Sequence, residues 1–185
     1  MTHPFGGWSA YGQPVVADRW KSSGNWGSDY AFCVLGYGGL NGRTTVGQAV
    51  GHFGLLVERA DIREWMELGY PARGRFDGSQ MWSCVGDFAV ALTFDEIGKA
   101  GDLTAGASGG PWVIPNTDYV NGVVSYDVPS YPDVSFSPFF DREVLALYRR
   151  AFPIASPDDT ETSVAPGLPS PPEEVTSIQG VASPG

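Results

Sequence analysis

Short runs of apolar residues, separated by Gly, Pro, Asn, Asp and Ser, fill the first 152 positions of this chain. Some runs alternate apolar and polar residues, and others are continuously apolar over a few positions. This pattern is typical of the strands of a β-barrel or β-sandwich. We therefore expect an all-β fold, and a chain of 185 residues normally makes one domain.

One helix is predicted near the end of this region. Asp141 and Glu143 supply acidic side chains to its first turn, and Arg149 and Arg150 lie in its last turn. Apolar residues recur at helical spacing between them, at Val144, Leu147, Tyr148 and Ala151. The segment 61–68 is ambiguous, because the spacing of its large apolar residues also fits a helical turn.

The composition changes at Pro153. Residues 153–185 are rich in Ser, Pro, Asp, Glu and Thr and show no apolar periodicity. We expect a domain over 1–152 and, over 153–185, a tail without fixed structure that takes no part in chemistry.

The net charge of −10 and the scarcity of lysine argue against binding to nucleic acid or to an anionic membrane surface. No apolar run is long enough to predict a membrane-spanning helix. No phosphate-binding loop or paired metal-ligand spacing occurs, so no cofactor or metal is expected.

The most informative segment is Gly-Ala-Ser-Gly-Gly-Pro-Trp at 106–112, which an apolar hairpin follows. It resembles the nucleophile loop of trypsin-like serine peptidases. The resemblance implies that Ser108 is the nucleophile and that the N–H groups of Gly106 and Ser108 form the oxyanion hole. The glycines would give the loop unusual backbone angles and leave room for a substrate carbonyl. The alternative is a tight Ser/Gly turn between two strands.

Upstream, residues 28–35 read as an acid followed by an apolar strand, and they resemble the aspartate strand of the same family. The resemblance implies that Asp29 accepts the N–H of the catalytic histidine and fixes its orientation. The alternative is an acidic residue that ends a surface loop before a strand.

The catalytic histidine is where the pattern fails, because the chain contains only His3 and His52. The family order is His, Asp, Ser, and His52 follows Asp29 on a predicted strand over 50–57. His3 precedes Asp29, but no apolar strand leads into it. We expect neither to be the base, and the simplest account is that the first strands of the domain are missing.

The resemblance covers residues 6–152 and is closest to bacterial secreted peptidases distantly related to the glutamyl endopeptidases. Segments 69–71, 76–84 and 137–140 match the family in order and spacing, and the family has a strand at 61–68. The resemblance implies a trypsin-like double β-barrel with an incomplete first barrel and a C-terminal helix. It also implies a secreted monomer that acts on polypeptides without a cofactor.

Such a protein hydrolyses peptide bonds through an acyl-enzyme on Ser108, but without its histidine we expect this chain to be inactive as given. Two alternatives stay open: a pseudoenzyme that serves as a binding module, and a fragment with no stable fold.

The resemblance implies a substrate pocket lined by Asp102, Ser125, Tyr126 and Asp127. A carboxylate at its floor would favour a cationic side chain. Val124 stands where glutamyl endopeptidases carry a histidine, so no preference for glutamate is expected. The alternative is that Asp102 turns outward.

The two cysteines indicate little about the cellular compartment. Cys33 is expected to be a small buried residue on the aspartate strand. Cys84 matches a position where relatives carry half of a disulfide whose other half would fall near Gly101. A bridge between Cys33 and Cys84 is not expected.

Overall fold

The computed structural model describes residues 4–151. Its strands are β1 (Val15–Val16), β2 (Ala31–Phe32), β3 (Gly54–Leu55), β4 (Glu64–Gly69), β5 (Trp82–Thr93), β6 (Glu96–Ala100), β7 (Pro111–Val113), β8 (Tyr119–Val123), β9 (Tyr126–Asp127) and β10 (Val134–Pro138). Its helices are α1 (Asp18–Ser23), α2 (Val46–Val50) and α3 (Arg142–Ala151), with a 3₁₀ turn at Trp26–Ser28.

Eight strands form one curled sheet in the order β3-β8-β7-β4-β5-β6-β10-β9. All neighbours are antiparallel except β3 and β8, which run parallel. The sheet curls until the end of β8 meets β10, where the Ser125 N–H donates to the Phe136 carbonyl at 2.9 Å. The described strands form no continuous ladder between β8 and β10, so the barrel is not closed.

The core of this second half is built around two tryptophans from neighbouring strands. The rings of Trp65 and Trp112 lie 5.5 Å apart, and both side chains are almost fully buried. The Trp65 indole N–H donates to the Asn121 side-chain oxygen at 3.0 Å, which satisfies two buried polar groups at once. Phe76, Leu103, Ala107 and Val124 complete the cluster.

The first half contains much less regular structure. Its only sheet among the described residues is the two-stranded β1–β2 pair. Large apolar side chains there stand in solvent, including Phe5, Tyr11, Leu35, Tyr37, Leu40, Val50 and Phe53. A small sheet that leaves so much apolar surface exposed agrees with the expectation of an incomplete first barrel.

Helix α3 joins the two halves. Asp141 caps it, since its Oδ1 accepts from the Glu143 N–H at 2.8 Å. Arg150, in its last turn, donates to Asp18 of α1 at 2.8 Å. A second link runs from Arg19 to Asp95 in the β5–β6 turn, also at 2.8 Å. The predicted C-terminal helix and the mostly β architecture are therefore confirmed.

Several local predictions need correction. The strand predicted over 50–57 is much shorter than predicted, because α2 ends at Val50 and only the two residues of β3 form a strand. Thr45 and Gln48 form a reciprocal capping box that starts α2. The aspartate strand is also shorter than predicted, and Asp29 lies between the 3₁₀ turn and β2. The ambiguous segment 61–68 is mostly strand β4, as the resemblance implied.

Cys33 is exposed, so its predicted burial is wrong. Cys33 and Cys84 are both free thiols. No helix within residues 4–151 is long and apolar enough to cross a membrane. The predicted tail over 153–185 lies outside the described residues.

Candidate active site

Ser108 lies at the tip of the loop 101–110, which connects β6 to β7. Its neighbours hold the loop in two tight turns. The Ala107 N–H donates to the Thr104 carbonyl at 3.2 Å, and the Gly110 N–H donates to the Ala107 carbonyl at 2.9 Å. Ala107 is buried and Ser108 is exposed. The loop therefore presents the Ser108 hydroxyl to solvent from a rigid base.

Glycine is required at two positions in this loop. Gly106 has a φ of 108°, and a Cβ on it would lie 2.7 Å from the Tyr70 carbonyl oxygen. A Cβ on Gly110 would lie 2.0 Å from the Leu68 carbonyl oxygen. Because no side chain fits at either position, the first and last glycines of Gly-x-Ser-Gly-Gly follow from the packing of the loop against the end of β4 and the residues after it.

The two predicted oxyanion donors are free to bind. Within residues 4–151, neither the Gly106 N–H nor the Ser108 N–H has a hydrogen-bond acceptor, whereas the intervening Ala107 N–H is engaged. An oxyanion hole needs unpaired donors held in place by a rigid backbone. The assignment of these two groups stays a prediction, and the loop geometry agrees with it.

Asp29 is tied to the wall of the same site. Its Oδ2 accepts from the Ser125 hydroxyl at 2.7 Å. Ser125 directly follows Val124, whose carbonyl accepts from the Gly109 N–H at 2.8 Å. The Val124 N–H donates back to the Gly110 carbonyl at 2.9 Å. Asp29 is thus linked to Gly109, the residue after Ser108, through its bond to Ser125, the Val124–Ser125 peptide and the backbone bond from Gly109 to Val124.

No described side chain bridges Asp29 and Ser108. His52 precedes β3, and β3 pairs with β8 at Tyr119 and Val120. Ser125 follows the opposite end of β8, so His52 lies far along the strand from the site. His3 lies outside the described residues. His52 is therefore not placed as a base between the acid and the serine.

Of the four predicted pocket residues, two lie beside the loop and two are exposed acids. Ser125 and Tyr126 line the wall beside the loop, where the Tyr126 ring stacks on Phe136 with centroids 5.2 Å apart. Burial, with Glu96 nearby, raises the pKa of Tyr126 to about 12, so its hydroxyl stays neutral. Asp127 is exposed on β9, opposite Ser135 of β10.

Asp102 is not free to face a substrate. Its carboxylate is paired with the Arg75 guanidinium, and its side chain is 45% exposed. This arrangement favours the alternative in which Asp102 turns outward. An acidic pocket stays a prediction, and it would require Arg75 to move away or Asp127 to supply the carboxylate.

Trp26 also contacts the wall of the site, although no sequence motif indicated it. Its ring centroid lies 4.8 Å from that of Tyr126 and 5.3 Å from that of Trp20. Trp26 is 46% exposed, so it presents an apolar face beside the site. Two tryptophans shortly before Asp29 were the available signal.

No group of three or more His, Cys, Asp or Glu residues that could hold a metal occurs within 4–151.

Comparison with solved structures relates this fold to known peptidases. The thermostable serine protease AL20 from an extremophilic microorganism is 30% identical, with a TM-score of 0.68 over 78% of this chain and 67% of its own. Protease Anisep from Arthrobacter nicotinovorans is 31% identical, with a TM-score of 0.72 over 81% of this chain and 69% of its own.

A Glu endopeptidase shares the fold at 15% identity, with a TM-score of 0.63 over 79% of this chain and 63% of its own. No protein-family model matches the chain, and no curated protein matches it. The curled sheet, the serine loop between β6 and β7 and the C-terminal helix define a protein of the trypsin-like β-barrel class.

The chain belongs to the bacterial trypsin-like serine peptidases. The predicted family and the predicted fold class are both confirmed.

Proposed function

We propose that this protein is built for peptide-bond hydrolysis through an acyl-enzyme on Ser108. Ser108 attacks the carbonyl carbon, the N–H groups of Gly106 and Ser108 stabilise the oxyanion, and Asp29 orients a histidine. The observation that carries the proposal is the Asp29–Ser125 hydrogen bond of 2.7 Å, because Ser125 is adjacent to the residue that anchors the nucleophile loop.

The proposal includes low activity for the chain as given. A serine hydroxyl is a weak nucleophile until a base takes its proton, and neither His3 nor His52 is assigned that role. In an unrelated serine peptidase, loss of the histidine alone costs about a millionfold in turnover. The active form therefore needs a histidine in the space between Asp29 and Ser108.

Polypeptides are the substrates that we propose, in keeping with the protease names of AL20 and Anisep. A secreted monomer remains our proposal for localisation and assembly, from the resemblance and from the net charge of −10. The preference for a cationic side chain rests on Asp102 and Asp127, and Asp102 is the weaker candidate because Arg75 already neutralises it.

A pseudoenzyme that binds peptides without cleaving them is the second candidate. The exposed Trp26 ring against Tyr126 favours it, since an aromatic surface beside the site can hold a ligand with no base present. This candidate requires that no form of the protein places a histidine next to Asp29.

Labelling with a fluorophosphonate probe, which reacts only with activated serines, separates the two candidates. Two proteins are compared: this chain, and a form extended upstream through any in-frame histidine motif. Labelling of the extended form alone, abolished by Ser108→Ala, is the expected result. Strong labelling of the short chain would refute the predicted low activity and would make His3 a candidate for the catalytic base again. If no such motif exists and nothing is labelled, the pseudoenzyme is correct.

A further inference from the structure

Glu67 and Lys99 form a charge pair inside the second barrel. The Lys99 Nζ lies 3.1 Å from the Glu67 Oε2, and both side chains are completely buried. Removing two charges from water is so costly that such a pair is often no more stabilising than two apolar residues. Its presence next to the nucleophile loop therefore calls for a reason other than stability.

The pair contacts the strands on both sides of the loop 101–110. Lys99 lies at the end of β6, where the loop begins, and its Nζ donates to the Ala100 carbonyl at 2.9 Å. It also lies 5.8 Å from the centroid of the Trp112 ring, on the strand where the loop ends. Glu67 is the register partner of Trp112 across the β4–β7 ladder.

The first residue of the loop packs directly against the pair. A Cβ on Gly101 would lie 2.9 Å from the Lys99 Nζ and 3.0 Å from the Glu67 Oε2. The Gly101 N–H donates to the Asp133 carbonyl at 2.9 Å, which joins this residue to the segment before β10. The start of the loop is thus held between the charge pair on one side and the segment before β10 on the other.

We propose that Glu67 and Lys99 are positioning residues, which hold both ends of the 101–110 loop so that Ser108 and the oxyanion donors keep their geometry. Two hydrogen bonds of the ammonium group, to the Ala100 carbonyl and to the Cys84 carbonyl at 3.3 Å, are directional and fix where β6 ends, while the Glu67 carboxylate balances the charge. Apolar side chains of similar size fill the same volume without these contacts. The catalytic consequence rests on the proposed function, whereas the effect on the loop does not.

Hydrogen exchange measured by mass spectrometry tests the effect on the loop without any need for activity. The loop offers amides with known acceptors, at Gly101, Ala107, Gly109 and Gly110. The variants are Lys99→Met, Glu67→Met and the double variant, each also unfolded with urea to measure global stability. Arg59→Met is the matched control, because the Arg59–Asp61 pair is exposed in the same barrel.

We expect each single variant to lose global stability, because it leaves one charge buried without a partner. The double variant should recover most of that stability but keep loop amides that exchange at least about ten-fold faster than in the parent protein. Full recovery of loop protection in the double variant would overturn the proposal, because the pair would then do no more than occupy volume in the core. Arg59→Met should change neither measurement.

Gly101→Ala provides a test that does not depend on how the double variant folds. It keeps both charges and forces the new Cβ against them, so the loop amides should exchange faster although the pair is intact. Unchanged protection in Gly101→Ala would also overturn the proposal. The two proposals can fail separately. If the loop amides of the parent protein are protected but the fluorophosphonate probe labels neither the given chain nor the extended form, the proposed function is refuted and the positioning role is not.

Discussion

Lys99→Met should strongly destabilise the folded protein. The change removes the cation and leaves the Glu67 carboxyl fully buried. Breaking a buried ion pair by removing one partner costs about 3–5 kcal/mol of unfolding free energy. The substitution also destabilises the folded protein in a second way, because the Ala100 and Cys84 carbonyls lose the hydrogen-bond donor that they share.

The loss depends on pH. Burial raises the pKa of Glu67 and Lys99 lowers it, while Asp127 raises it and the Ser135 hydroxyl lowers it. Without Lys99 the pKa of Glu67 in the folded protein rises further above its unfolded value. The folded variant then binds the proton more tightly than the unfolded chain, so its stability falls as pH rises between those two values. The difference from the parent protein should be small near pH 4 and largest above neutral pH.

Urea unfolding followed by tryptophan fluorescence is a suitable assay, since Trp65 and Trp112 are buried beside the pair. The control, Arg59→Met, removes an exposed ion pair and should cost no more than about 1 kcal/mol at any pH. A loss below about 1 kcal/mol for Lys99→Met above neutral pH, or a loss that does not vary with pH, would refute the reasoning.

Three further results are expected. Gly106→Ala should abolish probe labelling of an active form and cost about 1–3 kcal/mol in urea unfolding, whereas Gly109→Ala, where a Cβ meets open space, should show only the cost of its positive φ. Asp102→Asn should change stability by less than about 1 kcal/mol, because its pair with Arg75 is exposed. If the substitution instead reduced cleavage after both Lys and Arg to the same extent, Asp102 would belong to the substrate pocket. Truncation after Phe152 should leave the melting temperature nearly unchanged in calorimetry, and a drop of several degrees would show that the tail packs.

The residues that could be predicted are those whose reasons are local. The glycines around Ser108 are required by backbone angles and by the end of β4, so they leave a recognisable spacing in the sequence. The helix α3 is long enough for its apolar stripe to show. By contrast, α1 and α2 are six and five residues long, too short for periodicity, although the Thr45–Gln48 capping box was a usable signal.

The residues that were missed depend on contacts between distant segments. The bond from Ser125 to Asp29 joins positions 96 apart, and nothing near either residue indicates it. The burial of Glu67 had a weak signal: along β4 it shares a face with Trp65 and Gly69, so the alternation of the strand turns it inward. Its charge argued the other way, because buried carboxylates are rare unless paired, and Lys99 lies on another strand.

The central claim is that Ser108 and Asp29 work as one catalytic unit, and the rate of probe labelling tests it most directly. The form extended through an in-frame histidine motif is treated with the fluorophosphonate, and the modified residue is located by mass spectrometry. The account predicts modification at Ser108 alone, and a rate that falls by about four orders of magnitude in Asp29→Asn, as for the acid of a catalytic triad. The control, Asp87→Asn, changes an exposed acid on β5 and should leave the rate unchanged. Modification at another serine, or Asp29→Asn labelling as fast as the parent protein, would contradict the account.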